Sequence, residues 1–95
     1  MYTLRFHSAV AKDMRKLDPP VVTQLREVHL GRIKQNPEQA EALSHDLKGL
    51  WSYHFSYKGS QYRIVYEIYP RDRIVLVIMI GPRQGFYEAL RRRIL

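Results

Sequence analysis

Ile74–Ile80 reads Ile-Val-Leu-Val-Ile-Met-Ile, without a polar residue anywhere in the run. A strand with one wet face alternates polar and apolar side chains, whereas a run that is apolar throughout is covered on both faces. The segment therefore predicts a central strand, and it is far too short to cross a membrane. An arginine stands in the sequence on either side of it. Arg63 lies in Gln61-Tyr-Arg-Ile-Val-Tyr-Glu-Ile68, and Arg83 lies in Gly81-Pro-Arg-Gln-Gly-Phe-Tyr87. A rigid strand bounded in this way delivers polar groups to one end of a sheet.

The next constraint is a period of two. Trp51, Tyr53, Phe55 and Tyr57 are aromatic, and Ser52, His54, Ser56 and Lys58 between them are polar. This is a half-buried strand. Gly59-Ser60 signals a hairpin turn. A turn centred there pairs Tyr57 with Tyr62, Phe55 with Ile64 and Tyr53 with Tyr66. Ser56 then faces Arg63, with His54 on the diagonal. A slip of one residue would push Arg63 among the aromatics, so the register is well specified. His54, Ser56, Lys58 and Arg63 share one face near the hairpin end. Pairing Tyr69 with Ile74 sets Arg63 opposite Ile80, and Arg83 follows just beyond.

The first half reads as a strand and two helices. Tyr2, Leu4 and Phe6 alternate with Thr3, Arg5 and His7. Ser8 is a candidate N-cap for a helix carrying Val10, Met14 and Leu17, which Asp18-Pro19-Pro20 ends. A second helix begins near Val21 with the stripe Val22, Leu25, Val28 and Ile33, and Asn36-Pro37 closes it. Residues 38–45 read as a loop or a short helical turn. Phe86, Tyr87, Leu90 and Ile94 mark a C-terminal helix. Its Arg91, Arg92 and Arg93 suit a solvated last turn that complements the helix dipole. The fold class is α+β, in the order βααβββα: an antiparallel sheet with a helical hairpin on one side and a C-terminal helix, in one domain over residues 1–95.

Charge adds a partner class. The chain has 16 Lys+Arg and 9 Asp+Glu. Residues 46–95 carry 9 basic and 4 acidic groups, against 7 and 5 in residues 1–45. A basic second half fits a nucleic acid or an acidic protein segment, and also a merely solubilising surface. The absence of cysteine fits a reducing cytoplasm. Met1–His7 alternates, so no signal peptide is expected. No histidine–carboxylate pair has metal-ligand spacing and there is no Gly-rich phosphate loop, so no metal and no cofactor are expected. His7, His29 and His45 lack cationic company and receive no role.

The cluster has the residue types for proton transfer at a phosphate. Histidine titrates near neutrality, and two arginines beside His54 favour its neutral, basic form. Guanidinium groups bind phosphate in bidentate fashion and stabilise developing charge. Tyr87 could act as an acid, as a donor or as a stacking platform, or could be a core aromatic. The bland alternative for Arg63 is an ion pair with Glu67, two positions along on the same face.

The element order, the Gln61–Ile68 stretch, Leu47-Lys-Gly49 and the Gly-Pro-Arg motif with its following Tyr87 resemble the RelE/ParE toxin superfamily over nearly the whole chain. The resemblance implies a toxin of a toxin–antitoxin system. RelE-like members are ribosome-dependent mRNA endoribonucleases, and ParE-like members poison DNA gyrase. On the RelE pattern, Arg63 binds phosphate, Arg83 stabilises the reacting phosphate, and Tyr87 matches the C-terminal tyrosine. His54 and Ser56 stand where RelE has two lysines. The expected catalytic set is thus His54, Arg63, Arg83 and Tyr87, with Ser56 and Lys58 as substrate contacts. The expected partners are a cognate antitoxin, the ribosome and mRNA, with no membrane. The alternatives are a ParE-like gyrase inhibitor and a degenerate member that only binds its antitoxin.

Overall fold

A computed structural model describes residues 1–95. Strand β1 (Thr3–Phe6) leads into α1 (Val10–Arg15), then α2 (Pro19–Gln24), a π-helical turn (Leu25–His29) and α3 (Leu30–Gln35). Strands β2 (Glu41–Ala42), β3 (Trp51–Tyr57), β4 (Ser60–Tyr69) and β5 (Ile74–Pro82) follow, and helix α4 (Phe86–Ile94) ends the chain. The strand order is β1-β5-β4-β3-β2. Strands β3 to β5 pair antiparallel as expected, and β2, in a segment that reads as a loop or a helical turn, adds antiparallel to β3. Strand β1 adds to β5 in parallel, making the sheet mixed. The α1–α3 hairpin carries the chain from that edge to the other, where β2 begins.

The apolar run of β5 is covered twice. On one face, Val10, Val21, Leu25 and Ile33 of the helical hairpin pack on Tyr53, Phe55, Ile64, Tyr66, Val75, Val77 and Ile80. On the other, Phe86 and Leu90 of α4, with Leu47 and Leu50, pack on Val65, Ile78 and Met79. Three layers result, with β5 and β4 in the middle.

Two registers differ from the sequence reading. The hairpin turn is Lys58-Gly59, and Tyr57 pairs with Ser60. Both turn residues have positive φ, 48° and 84°, as a two-residue type I′ turn requires. The two-residue shift preserves every face but changes the partners, so His54 rather than Ser56 faces Arg63. In β4–β5, Tyr69 pairs with Ile74 as expected, but an irregularity at Val65/Tyr66 moves Arg63 opposite Gly81. Val65 pairs with Met79 and Tyr66 with Val77, leaving Ile78 as an extra residue in β5. Ile78 and Met79 consequently both turn toward α4.

The helices also differ in detail. Pro19 and Pro20 open α2 instead of preceding it, because proline's missing N–H costs nothing in the first turn. Residue Ala9, not Ser8, caps α1, and its N–H donates to His7 Nδ1 at 3.0 Å. The buried stripe is Val21, Leu25, His29 and Ile33, while Val28 is exposed. Steps of four residues drift by about 40° each on a helix of 3.6 residues per turn. The wider π turn at Leu25–His29 takes up that drift and returns His29 to the sheet. There His29 Nδ1 lies 2.7 Å from the Tyr53 hydroxyl and Nε2 lies 3.3 Å from Gln24 Oε1. Its ring stacks on Phe55 at 4.3 Å.

A buried ion pair ties the layers together. Arg93 Nη1 and Nη2 donate to the two Asp13 carboxylate oxygens, each at 2.7 Å. Asp13 Oδ2 also accepts from Ile80 N–H, and Arg93 Nη1 donates to the Ile78 carbonyl at 2.9 Å. Register partners of β1 on β5 end at Val77, so this pair occupies the edge of β5 just beyond. Arg93 is therefore a structural residue, not part of a solvated helix end. Arg91 is paired too, with Asp46 at 2.7 Å, in an exposed and weaker contact.

Two predictions follow from burial. Replacing Asp13 by Ala leaves a partly buried guanidinium and the Ile80 N–H without an acceptor, so urea denaturation should show a loss of roughly 3–5 kcal/mol. A change below about 1 kcal/mol would show that the clasp is not structural. For His29, burial foremost and then Arg32 lower the pKa beneath its ordinary 6.5. The unfolded chain takes up that proton first. Stability is therefore full above pH 6.5 and declines as pH falls from there toward the folded value. His29→Gln should flatten this decline measured between pH 5 and 7. An unchanged slope would remove His29 as its source.

Candidate active site

His54, on β3, and Arg63, on β4, are direct cross-strand partners on the face that carries α4. Rigid strands fix both backbones. Helix α4 begins after Gly85, whose φ of +65° lies in the left-handed region that glycine enters freely. Phe86 anchors the first turn in the core, and this sets Tyr87 over the same face. The Arg63 guanidinium carbon lies 5.1 Å from the centre of the Tyr87 ring. Arg63 makes no ion pair with Glu67; Glu67 instead accepts from the Tyr69 hydroxyl.

A buried hydroxyl joins the two proton-carrying side chains. Tyr87 donates to Ser52 Oγ at 3.0 Å, and His54 Nε2 lies 3.1 Å from the same oxygen. Ser52 is almost fully buried, at 1% exposure, although the strand pattern gave it no role. Glu41, in the two-residue strand β2, brings a carboxylate oxygen to 3.5 Å from His54 Nε2. Neither contact was legible. Ser52 looked like one more polar position of β3, and Glu41 is distant in sequence, in a segment read as a loop or a turn.

The electrostatics favour a neutral imidazole. Partial burial is the largest influence and lowers the His54 pKa below 6.5; Arg63 lowers it further, and Glu41 opposes them. Charge in a low-dielectric setting is penalised, and one adjacent cation outweighs a carboxylate exposed to water. Neutral His54 can accept a proton near pH 7.

Arg83 reaches the cluster through its backbone. Its N–H donates to the Gln61 carbonyl, extending the β4–β5 ladder, and its carbonyl accepts from Arg63 Nη1 at 3.4 Å. Its own guanidinium makes no hydrogen bond or ion pair and is exposed beside Gly59, Ser60 and Gln61. Arg63 Nε is buried and has no hydrogen-bond partner. Arg63 Nη2 also makes no hydrogen bond, and it is this group and the Arg83 guanidinium, not the buried Nε, that leave donors open to solvent. The structure does not bring the other two expected residues into the cluster. Ser56 is exposed further along β3, and the Lys58 ammonium lies 5.7 Å from the Tyr57 ring at the turn. No group of histidines and carboxylates is arranged to hold a metal ion.

A mixed sheet between a helical hairpin and a C-terminal helix is the architecture of a RelE/ParE-superfamily toxin. The chain belongs to the ParE-like toxin family of type II bacterial toxin–antitoxin systems, whose model matches residues 4–91. It is 26% identical over 88 residues to Toxin RelG of Mycobacterium tuberculosis, covering 92% of this chain and 97% of that toxin. It superposes on a chain of the toxin–antitoxin complex RelBE2 from M. tuberculosis with TM-score 0.73 and 26% identity, over 86% of this chain and 98% of that one. A free E. coli RelE carrying two arginine-to-alanine substitutions matches with TM-score 0.74 and 26% identity, over 99% and 98% of the two chains. No helix is long and apolar enough to cross a membrane.

The charge balance at His54 gives a direct prediction. Arg63→Gln removes a cation that disfavours imidazolium, so the His54 pKa should rise toward 6.5. Ring-proton NMR titration reads this shift, and a further fall would contradict the assigned electrostatics.

Proposed function

We propose that this toxin is a ribosome-dependent mRNA endoribonuclease working by acid–base cleavage. The observation that carries the reading is the pairing of His54 and Tyr87 on the Ser52 hydroxyl, beside Arg63. Two proton carriers within reach of one oxygen fit a reaction that needs both a base and an acid. His54 takes the proton of a 2′-hydroxyl. The 2′-oxygen bonds to phosphorus as the bond from phosphorus to the 5′-oxygen breaks, and Tyr87 protonates the departing 5′-oxygen. A 2′,3′-cyclic phosphate and a 5′-hydroxyl result. Arg63 and Arg83 neutralise the charge that grows on the phosphate oxygens.

The likeness to RelE supports the choice of the ribosome as the place of cleavage. A modest net charge of +7 fits a substrate positioned by a larger assembly. The solved RelE toxins in complex with RelB antitoxins support an antitoxin as the partner of this chain. Its basic second half suits an acidic segment.

Single-turnover cleavage on programmed ribosomes, paired with thermal melts, tests the reading. Arg83→Ala should cut about 100- to 1000-fold more slowly with an unchanged melt. His54→Ala should lose about 100-fold. The control Ile78→Ala should lose about 2–5 kcal/mol of stability. Wild-type rates for both site variants would sink the proposed site. Intact mRNA with accumulated gyrase–DNA cleavage complexes would establish a gyrase poison instead.

A further inference from the structure

We infer that Glu41 is a positioning residue, which holds the proton of neutral His54 on Nε2 and so leaves Nδ1 as the basic atom. The inference deepens the nuclease reading and rests on it only for the rate of cleavage.

The argument is one of donors and acceptors. His54 Nε2 has two neighbours, Ser52 Oγ at 3.1 Å and Glu41 Oε1 at 3.5 Å. A serine hydroxyl can donate or accept, so Ser52 alone would tolerate either tautomer of the ring. An ionised carboxylate can only accept. Opposite a bare Nε2 it would set two lone pairs against each other; opposite Nε2–H it gains a charge-assisted contact. Tyr87 reinforces the choice, because its hydroxyl already donates to Ser52 Oγ and leaves that oxygen a further lone pair for Nε2–H. When Nδ1 takes up a proton, the same carboxylate faces the imidazolium and stabilises it, as the buried aspartate of a catalytic triad does.

The other charged or titratable groups near the ring do not select a tautomer. Arg63, across the strand pair, disfavours the charged ring. Tyr87 acts through Ser52 alone. Helix α4 otherwise turns Phe86 and Leu90 into the core, and these cannot hydrogen-bond.

Glu41 is 62% exposed at its side chain and lies in a strand of only two residues. Its replacement should therefore leave the fold intact, which makes the test clean. The probe is the ring 15N spectrum of His54 in the free protein, recorded above its titration, for wild type and for Glu41→Ala. Nε2 should carry the proton in the wild type. In Glu41→Ala the proton should shift at least partly to Nδ1, since Ser52 can then donate to Nε2. Cleavage on ribosomes should fall about tenfold or more in kcat with KM unchanged, the scale of losing an orienting partner. Glu41→Asp should restore part of both readouts. An unchanged tautomer in Glu41→Ala overturns the inference, whatever the rate does. If the tautomer shifts but His54→Ala still cleaves at the wild-type rate, Glu41 positions His54 as inferred and the nuclease role of His54 is what fails.

Discussion

The fold depends on one strand that has to be dry on both faces. Strand β5 gives up Val75, Val77 and Ile80 to the helical hairpin, and Ile78 and Met79 to α4. A chain of 95 residues can supply two such covers only by placing its helices on opposite sides. The extra residue at Ile78 turns two successive side chains toward α4, and the Ile78 carbonyl and the Ile80 N–H are taken up by Arg93 and Asp13. Their ion pair bridges α1, on one layer, to α4 on the other. Buried pairs of this kind add little net stability relative to apolar packing, because desolvation offsets attraction. Their value here is positional. Arg93 and Tyr87 lie on the same short helix, so fixing the end of α4 also limits where Tyr87 can sit over Arg63.

The site inherits that rigidity. His54 and Arg63 are opposed on neighbouring strands, and the I′ turn at Lys58-Gly59 permits only registers that keep this face intact. Their electrostatic relation is repulsive toward a charged imidazole, while Glu41 attracts it. Burial decides the outcome, since it acts against the charged ring irrespective of either neighbour. A neutral histidine next to an arginine with an unpartnered buried Nε is a costly arrangement in isolation. The open end of the same guanidinium, with Nη2 unbonded, carries the positive charge that helps keep the neighbouring imidazole neutral.

Much of this was legible in the sequence, for physical reasons that also explain the gaps. The double burial of Ile74–Ile80 and the aromatic alternation of Trp51–Tyr57 are pattern signals, and both strands formed where expected. The hairpin was misplaced by two residues because Gly59-Ser60 and Lys58-Gly59 both contain the glycine, and only the backbone shows that Lys58 takes a positive φ. A shift by two keeps each side chain on its face, so the pattern places His54 and Arg63 on one face while misassigning their partners. The irregularity at Val65/Tyr66 has no composition signal in a wholly apolar partner. His29 receives no role from the sequence; its partners, Tyr53 and Phe55, come from a distant strand and meet it through a π turn. Arg93 was hidden among three consecutive arginines.

The distribution of charge separates structural from available cations. Arg91 and Arg93 are held by carboxylates, Arg73 covers the Tyr2 ring at 4.5 Å, and Lys58 lies near Tyr57. These groups already have partners and contribute mainly to folding or to surface potential. Arg83 has none for its guanidinium, and Arg63 has only its Nη1 engaged by hydrogen bonding, with a long bond to a carbonyl. The excess of basic residues in the second half of the chain is thus a poor guide by itself. What sets Arg63 and Arg83 apart from the other unpaired arginines is that they are joined through the Arg83 carbonyl, with Arg63 lying against Tyr87 and opposite His54.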